Sequence, residues 1–424
     1  MHKKYILDNG IRVITQKIPH VRSVSIGFWV KTGSISETTL NNGISHFIEH
    51  MLFKGTHTRT AKEIANAIDS IGGQLNAFTS KECTCYYSKV LDSHISIAID
   101  IITDMILNSK FEENDIEREK SVIFEEINMY EDSPEDLAYD ILAKTIFKNH
   151  SLGLPILGTH NTVKSFQRND LRDYMKKNYN SQNIVISVAG SFKEDDLIKE
   201  LNDKIGRYNL KSEKNKTAKK PDFNSNYFYK FKDIEQIHLC IGFKGVTNNE
   251  KDLYPLLVLN NIFGGSMSSR LFQTVREDNG LAYSIYSHPS FYKDIGLFTI
   301  YVSLSPSQLD KVTDLILKEL KSLIKNSITK EELTKAKEQL KGSYILSLES
   351  TGSIMTMLGK SELFERKIKT HDEVLSNIDK VDLEALNNLT AKIFNKNVSM
   401  SVVGKADEKV IKHNYSKFID LINF

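Results

Sequence analysis

Cysteine is scarce, with 3 in 424 residues. That is too few for a disulfide framework. Cys83 and Cys85 would share one face of a strand, and a Cys-x-Cys pair of this kind reads as buried thiols rather than a metal site. Long apolar runs are missing too. No stretch approaches the roughly 20 residues that a membrane-spanning helix needs. The opening Met1-His2-Lys3-Lys4-Tyr5-Ile6-Leu7 is basic but has no sustained apolar segment, so no signal peptide is expected and the cytoplasm is the expected compartment. Neither sign of charge dominates. With 56 Lys and Arg against 54 Asp and Glu, the net charge is +2, and nothing argues for a nucleic acid or an anionic membrane surface as partner. The glycine-rich Gly264-Gly265-Ser266-Met267-Ser268-Ser269 lacks the Lys-Ser/Thr ending of a phosphate loop, which argues against nucleotide binding. What remains, 40% hydrophobic and 26% charged residues, is ordinary for a globular protein. The length exceeds one ordinary core and calls for two or more domains.

The order of elements can be read from periodicity. Tyr5-Ile6-Leu7, Asp8-Asn9-Gly10 and Ile11-Arg12-Val13-Ile14 give strand, turn and strand. Strands are also expected over 24–30, 84–90 and 184–188, and helices over 61–71, 95–107 and 171–179. An internal repeat then appears. Ile26-Gly27-Phe28 recurs as Ile241-Gly242-Phe243 at an offset of 215. The run Asn183 to Gly190 recurs as Asn397 to Gly404 at an offset of 214. Two matches in the same order at nearly one offset point to a duplicated domain. Between the copies, the polar run from Lys211 to Pro221 has the composition of a solvated linker. The expected division is 1–212, a linker at 213–227, and 228–424. Alternating strand and helix signals in each half fit an α+β or α/β class.

The chemistry is concentrated in Gly43-Ile44-Ser45-His46-Phe47-Ile48-Glu49-His50-Met51-Leu52-Phe53. Ile44, Phe47, Ile48, Met51 and Leu52 recur at helical spacing, Asn42 can cap the start, and Gly55 sits where a helix would stop. His46 and His50 are one turn apart and leave the same face. Two imidazoles so placed can hold one zinc ion, and Glu49 between them can take a proton from water activated there. Downstream, 114–131 is a second helical pattern, with Asn114 and Glu117 set for a capping box. Glu119 and Glu126 fall on one of its faces, two turns apart. On the residues alone, that pair reads equally as a metal-binding carboxylate with its support and as a solvated acidic face.

The flanking text narrows the choice. Gly72-Gly73-Gln74-Leu75-Asn76-Ala77-Phe78-Thr79, Tyr86-Tyr87, Leu154-Pro155-Ile156-Leu157-Gly158-Thr159 and the His-x-x-Glu-His stretch together resemble the M16 metallopeptidases, the insulinase, pitrilysin and processing-peptidase group. The likeness runs essentially end to end. In that family the third zinc ligand is a glutamate about 76 residues beyond the second histidine, which implies Glu126, and a supporting glutamate seven residues earlier implies Glu119. The resemblance also implies one zinc per chain, Glu49 as general base, and substrate bound as an added strand near Asn76 and Ala77. In Arg276-Glu277-Asp278-Asn279-Gly280-Leu281-Ala282-Tyr283 it implies that Arg276 and Tyr283 contact substrate. It implies two homologous α+β domains, each an antiparallel sheet with helices on one face, around a peptide-binding cavity. Adding 215 to His46, Glu49 and His50 gives Asn261, Gly264 and Gly265, so the second half carries no counterpart ligands. The expected activity is zinc-dependent hydrolysis of internal bonds in unfolded peptides or presequences, in a homodimer. The competing expectation is a non-catalytic partner or scaffold subunit of a processing-peptidase-like complex.

Overall fold

The computed structural model describes residues 2–210, 220–248, 250–325, 328–395 and 397–420. Of the expected linker at 213–227, residues 213–219 lie outside this set, and Tyr227 already opens a strand. Among the described residues, no helix is long and apolar enough to cross a membrane.

The chain forms two compact units, each drawing on both halves of the sequence. One comprises Met1–Asn128, Leu154–Ala218 and Ile345–Thr370, and the other Met129–Gly153, Lys219–Tyr344 and His371–Phe424. The first unit is built on strands β1 (His2–Ile6), β2 (Arg12–Lys17), β3 (Ser23–Val30), β4 (Gln74–Thr79), β5 (Thr84–Leu91) and β6 (Ile184–Gly190), in the order β1-β2-β6-β3-β5-β4. The second is built on β7 (Tyr227–Phe231), β8 (Ile237–Gly245), β9 (Ala282–Phe291), β10 (Gly296–Leu304) and β11 (Val398–Gly404), in the order β7-β11-β8-β10-β9. Both sheets are antiparallel apart from one pair each, β2 with β6 and β11 with β7. Without β1, the first sheet has the strand order of the second. The repeated Ile-Gly-Phe lies in β3 and β8, and the longer repeat in β6 and β11, which occupy matching places.

Strand alternation explains the repeated triplet. Ile26 and Phe28 point into the main core of the first unit, with Phe47, Ile102 and Ile123 from its helices. Gly27 and Trp29 point to the opposite face. There the helix Thr351–Lys360, from the second half of the sequence, crosses β3 and β6. A Cβ on Gly27 would lie 2.4 Å from Met355 Sδ, and one on Gly359 would lie 2.1 Å from Trp29 Nε1. The two glycines therefore allow the helix to approach the sheet closely. Trp29 Nε1 donates to Ser187 Oγ at 2.8 Å, and Ser25 Oγ shares a 2.9 Å hydrogen bond with Thr351 Oγ1. The second unit reciprocates with the helix Pro134–Ile146 from the first half, which lies on β8 and β11. A Cβ on Gly242 would lie 3.0 Å from Ile146 Cδ1, and Ser401 Oγ donates to Ala138 O at 2.6 Å. The helix that carries Glu119 and Glu126 runs Glu113–Asp132. It opens one residue before Asn114, which lies in its first turn rather than capping it.

Candidate metal centre

The helix Ile44–Leu52 buries Ile44, Phe47, Ile48, Met51 and Leu52, as the spacing predicts. Its start differs from the sequence reading. The cap position is Gly43, with φ +94°, and Asn42 does not cap. The free N–H groups of the first turn are taken by Glu37, whose carboxylate accepts from Gly43 N at 2.7 Å and Ser45 N at 2.9 Å. Asn42 holds that carboxylate from the side, donating to Glu37 Oε2 at 2.9 Å. It also donates to Pro155 O at 2.8 Å. A Cβ on Gly158 would meet Asn42 O at 2.4 Å, and one on Gly43 would meet Gly158 Cα at 2.7 Å. Only glycines let the Leu154–Thr159 turn lie against the helix start. Ser45 Oγ and Thr32 Oγ1 hydrogen-bond Tyr174 Oη at 2.8 and 3.0 Å, which clamps the same turn from the other side.

So fixed, the helix presents His46 and His50 toward Glu126 on the helix Glu113–Asp132. One ligand atom from each of the three residues lies within 4.8 Å of the others. Glu126 Oε2 is 3.7 Å from His46 Nε2 and 3.6 Å from His50 Nε2, and although buried it has no hydrogen-bond partner among the described residues. A buried, unsatisfied carboxylate oxygen is costly. Two imidazole nitrogens just beyond hydrogen-bond reach do not relieve it, whereas one cation held by all three groups would. Two histidines and one carboxylate are the donor set of a catalytic zinc site. The residues present fit the ion.

Support comes from a second layer of contacts. Glu119 Oε1 is 2.8 Å from His50 Nδ1, so His50 donates there and turns its Nε2 lone pair toward Glu126. Lys54 Nζ pairs with the other Glu119 oxygen at 2.6 Å. Burial pushes the Glu119 carboxyl up, but its bonds to His50 and Lys54 outweigh that and hold it below the ordinary value. Burial, reinforced by the charge of His50, drives His46 down to about 3, so it is neutral and able to donate its lone pair. Burial also lowers His50, but Glu119, with the charges of Glu126 and Glu49, brings the net direction up. Burial raises Glu126, and it raises Glu49 against the opposing hydrogen bond from Thr79.

Of the other expected site residues, Asn76 and Ala77 lie on β4, a free edge of the first sheet. The same strand carries Thr79, whose hydroxyl donates to Glu49 Oε2. Arg276 and Tyr283 belong to the second unit. Tyr283, at the start of the edge strand β9, is 76% exposed, and the Arg276 guanidinium sits 5.4 Å from its ring and 4.7 Å from that of Phe272. Three contributors were not found from sequence: Glu37, Lys54 and Thr79. For Glu37 a signal did exist, because a helix opening on Gly43 with no acid in its first turn needs an acceptor from elsewhere.

Residues 12–160 match the family model for insulinase, peptidase family M16, and residues 165–340 match the model for the peptidase M16 inactive domain. YmxG of Bacillus subtilis, named an uncharacterised zinc protease, is 49% identical over 95% of this chain and 98% of its own length. An uncharacterised zinc protease of Streptomyces coelicolor is 36% identical over 96% of this chain and 90% of its own. The chain belongs to peptidase family M16. Among solved structures, a protease from Helicobacter pylori superposes with a TM-score of 0.87 at 20% identity, covering 96% of this chain and 99% of its own. A peptidase M16 inactive domain from Pseudomonas fluorescens gives 0.87 at 19% identity, covering 95% and 98%. Both share the fold of this M16 chain, in which Asn261, Gly264 and Gly265 stand at the repeat offset from His46, Glu49 and His50.

Proposed function

We propose that this M16 chain is a zinc-dependent endopeptidase acting on unfolded peptides or presequences bound in extended form. The observation that carries the reading is the orphaned Glu126 Oε2, buried and flanked at 3.7 and 3.6 Å by the Nε2 atoms of His46 and His50. Its relatives' name, zinc protease, agrees with it. Zinc held by His46, His50 and Glu126 would act as a Lewis acid and bring the pKa of water to about 7.

The remaining chemistry falls to the chain's own side chains. Glu49 Oε1 makes no hydrogen bond to described residues, so it is free to take a proton from water and to return it to the leaving amine. Glu119 keeps His50 in one tautomer and one orientation. The open edge of β4 offers backbone groups to an extended peptide. There the Ala77 N–H donates to the exposed Asn76 Oδ1 at 2.8 Å, a bond that a pairing strand can replace. Backbone pairing tolerates many sequences and requires an unfolded segment. The second unit's share in this reading is Arg276 and Tyr283, donors suited to a carbonyl oxygen gaining negative charge. One zinc per chain and a homodimer complete the proposal.

Metal analysis and peptide cleavage on one set of variants test it. His50→Ala and Glu126→Gln should lose zinc and activity together. Arg276→Ala and Tyr283→Phe should keep zinc while kcat falls on the order of 10²–10³-fold. Near-stoichiometric zinc in both ligand variants would contradict the assignment.

A further inference from the structure

Thr79 stands 30 residues from Glu49 in sequence, on a different element, yet its hydroxyl meets the Glu49 carboxylate. The bond is directional. Thr79 Oγ1 has a second neighbour, Thr84 Oγ1, at 3.3 Å. The proton of Thr84 goes to Thr32 O at 3.0 Å, so Thr84 can only accept from Thr79. Thr79 thus has one proton and two takers, and the Glu49 oxygen is the nearer of the two. Glu49 makes no other hydrogen bond among the described residues. Its two oxygens are therefore unlike, with Oε2 held and Oε1 free.

Thr79 itself is tightly fixed. It pairs with Thr84 in the β4–β5 register, at the mouth of the hairpin turn 80–83. That turn is closed by Ser80 N to Cys83 O at 2.8 Å, Ser80 Oγ to Cys83 O at 2.9 Å, and Cys83 N to Ser80 Oγ at 3.1 Å. Thr79 is also three residues from Asn76 on the same edge strand.

We propose that Thr79 is the positioning residue for the general base: its hydroxyl holds Glu49 Oε2 and so assigns proton transfer to Oε1. The proposal rests on the peptidase reading for its kinetic consequence, but not for its geometry. When Glu49 takes a proton from water, the water O–H bond breaks, a new O–H bond forms at Oε1 and the water oxygen adds to the scissile carbonyl carbon, while Oε2 stays the acceptor from Thr79. The same proton then leaves Oε1 for the amine as the peptide bond breaks, and the Thr79 bond survives both steps. Because Thr79 and the substrate-pairing edge share β4, a peptide pairing at Asn76–Ala77 is aligned on the strand that also aims the base. Register and base are set together.

Thr79→Val removes the hydroxyl at nearly constant shape, and Thr79→Ser keeps it. In zinc-loaded protein, Thr79→Val should retain wild-type zinc content and KM, while kcat falls about 10- to 100-fold, the loss of one hydrogen bond to a charged group. Thr79→Ser should recover most of kcat. Crystal structures of zinc-loaded wild type and Thr79→Val give a readout independent of turnover. They should show one Glu49 rotamer in the wild type and more than one in the variant. Unchanged kcat in Thr79→Val, a Thr79→Ser as impaired as Thr79→Val, or a single unmoved Glu49 rotamer in both structures would each overturn the proposal. A wild type that binds zinc and cleaves no peptide would instead count against the peptidase reading, and the rotamer comparison would still decide the role of Thr79.

Discussion

Glu119 holds two groups at once, His50 Nδ1 at 2.8 Å and Lys54 Nζ at 2.6 Å, and only 3% of its side chain is exposed. Replacing it with Ala leaves His50 free to rotate and strands Lys54, although no zinc ligand is removed. Zinc affinity should fall about 10- to 100-fold, as measured by competition with a chelator of known affinity. Unchanged affinity would show that Glu119 serves only as the buried partner of Lys54 and does not position His50. At this scale the sequence was legible where chemistry follows helical spacing. His46, Glu49 and His50 lie on one helix, and their roles can be read from i and i+4 positions. Glu126 required the family interval, because the contact between two helices leaves no local spacing rule. Glu37, Lys54 and Thr79 were missed for a related reason. Their roles come from contacts outside helical spacing, and a lysine past a helix end or a threonine on a strand looks the same with or without such a contact; only Glu37 left a trace, in the acid-free first turn that it serves.

Buried carboxylates fix the start of the helix Ile44–Leu52 and the turn that follows it. Glu37 takes the N-terminal amides. Beyond the C-terminal end, the turn Thr56–Arg59 is tied down by Asp104, which accepts from Thr56 Oγ1 at 2.6 Å, Thr58 Oγ1 at 2.7 Å, Arg59 Nη1 at 2.8 Å and Asn108 Nδ2 at 2.8 Å. Burial pushes the Asp104 carboxyl up, but these donors outweigh it and hold it below the ordinary value. A carboxylate with a depressed folded-state pKa adds stability above its unfolded value, about 3.9, and loses that contribution as pH falls through the folded value. Wild type should therefore exceed Asp104→Asn by about 1–3 kcal/mol near pH 7, with the margin shrinking below about pH 4. Thermal melts of both proteins across pH measure this, and a margin independent of pH would contradict it. Helix positions agreed with periodicity where one face is buried, as with Ile64 and Ile68 of the helix Ala61–Asp69. The caps did not, because Asn42 and Asn114 have the right chemistry for a role that Glu37 and an earlier helix start already fill.

At the scale of the whole molecule, the duplication was readable from two short repeats, but the exchange of helices was not. Periodicity shows that 351–360 has an apolar face, with Ile354, Met355 and Leu358 buried, but not which sheet that face covers. The exchange has a direct consequence for residues 1–212 expressed alone. Without Thr351–Lys360, the face of β3 and β6 formed by Trp29, Val185 and Ala189 loses its cover. Trp29 is the sole tryptophan, so its fluorescence reports on this face alone. The fragment should emit at longer wavelength than the full chain and should bind a hydrophobic dye. Matching emission in the two would show that the face finds other cover.

The most direct test of the central claim, a zinc peptidase with Glu49 as its base, is to compare wild type with Glu49→Gln for metal content and peptide turnover in one experiment. Gln matches Glu in shape but cannot accept the proton. The variant should hold as much zinc as wild type while turnover falls about 10²–10⁴-fold. A Glu49→Gln protein that keeps most of its peptidase activity, or a wild type that binds no zinc, would contradict the account.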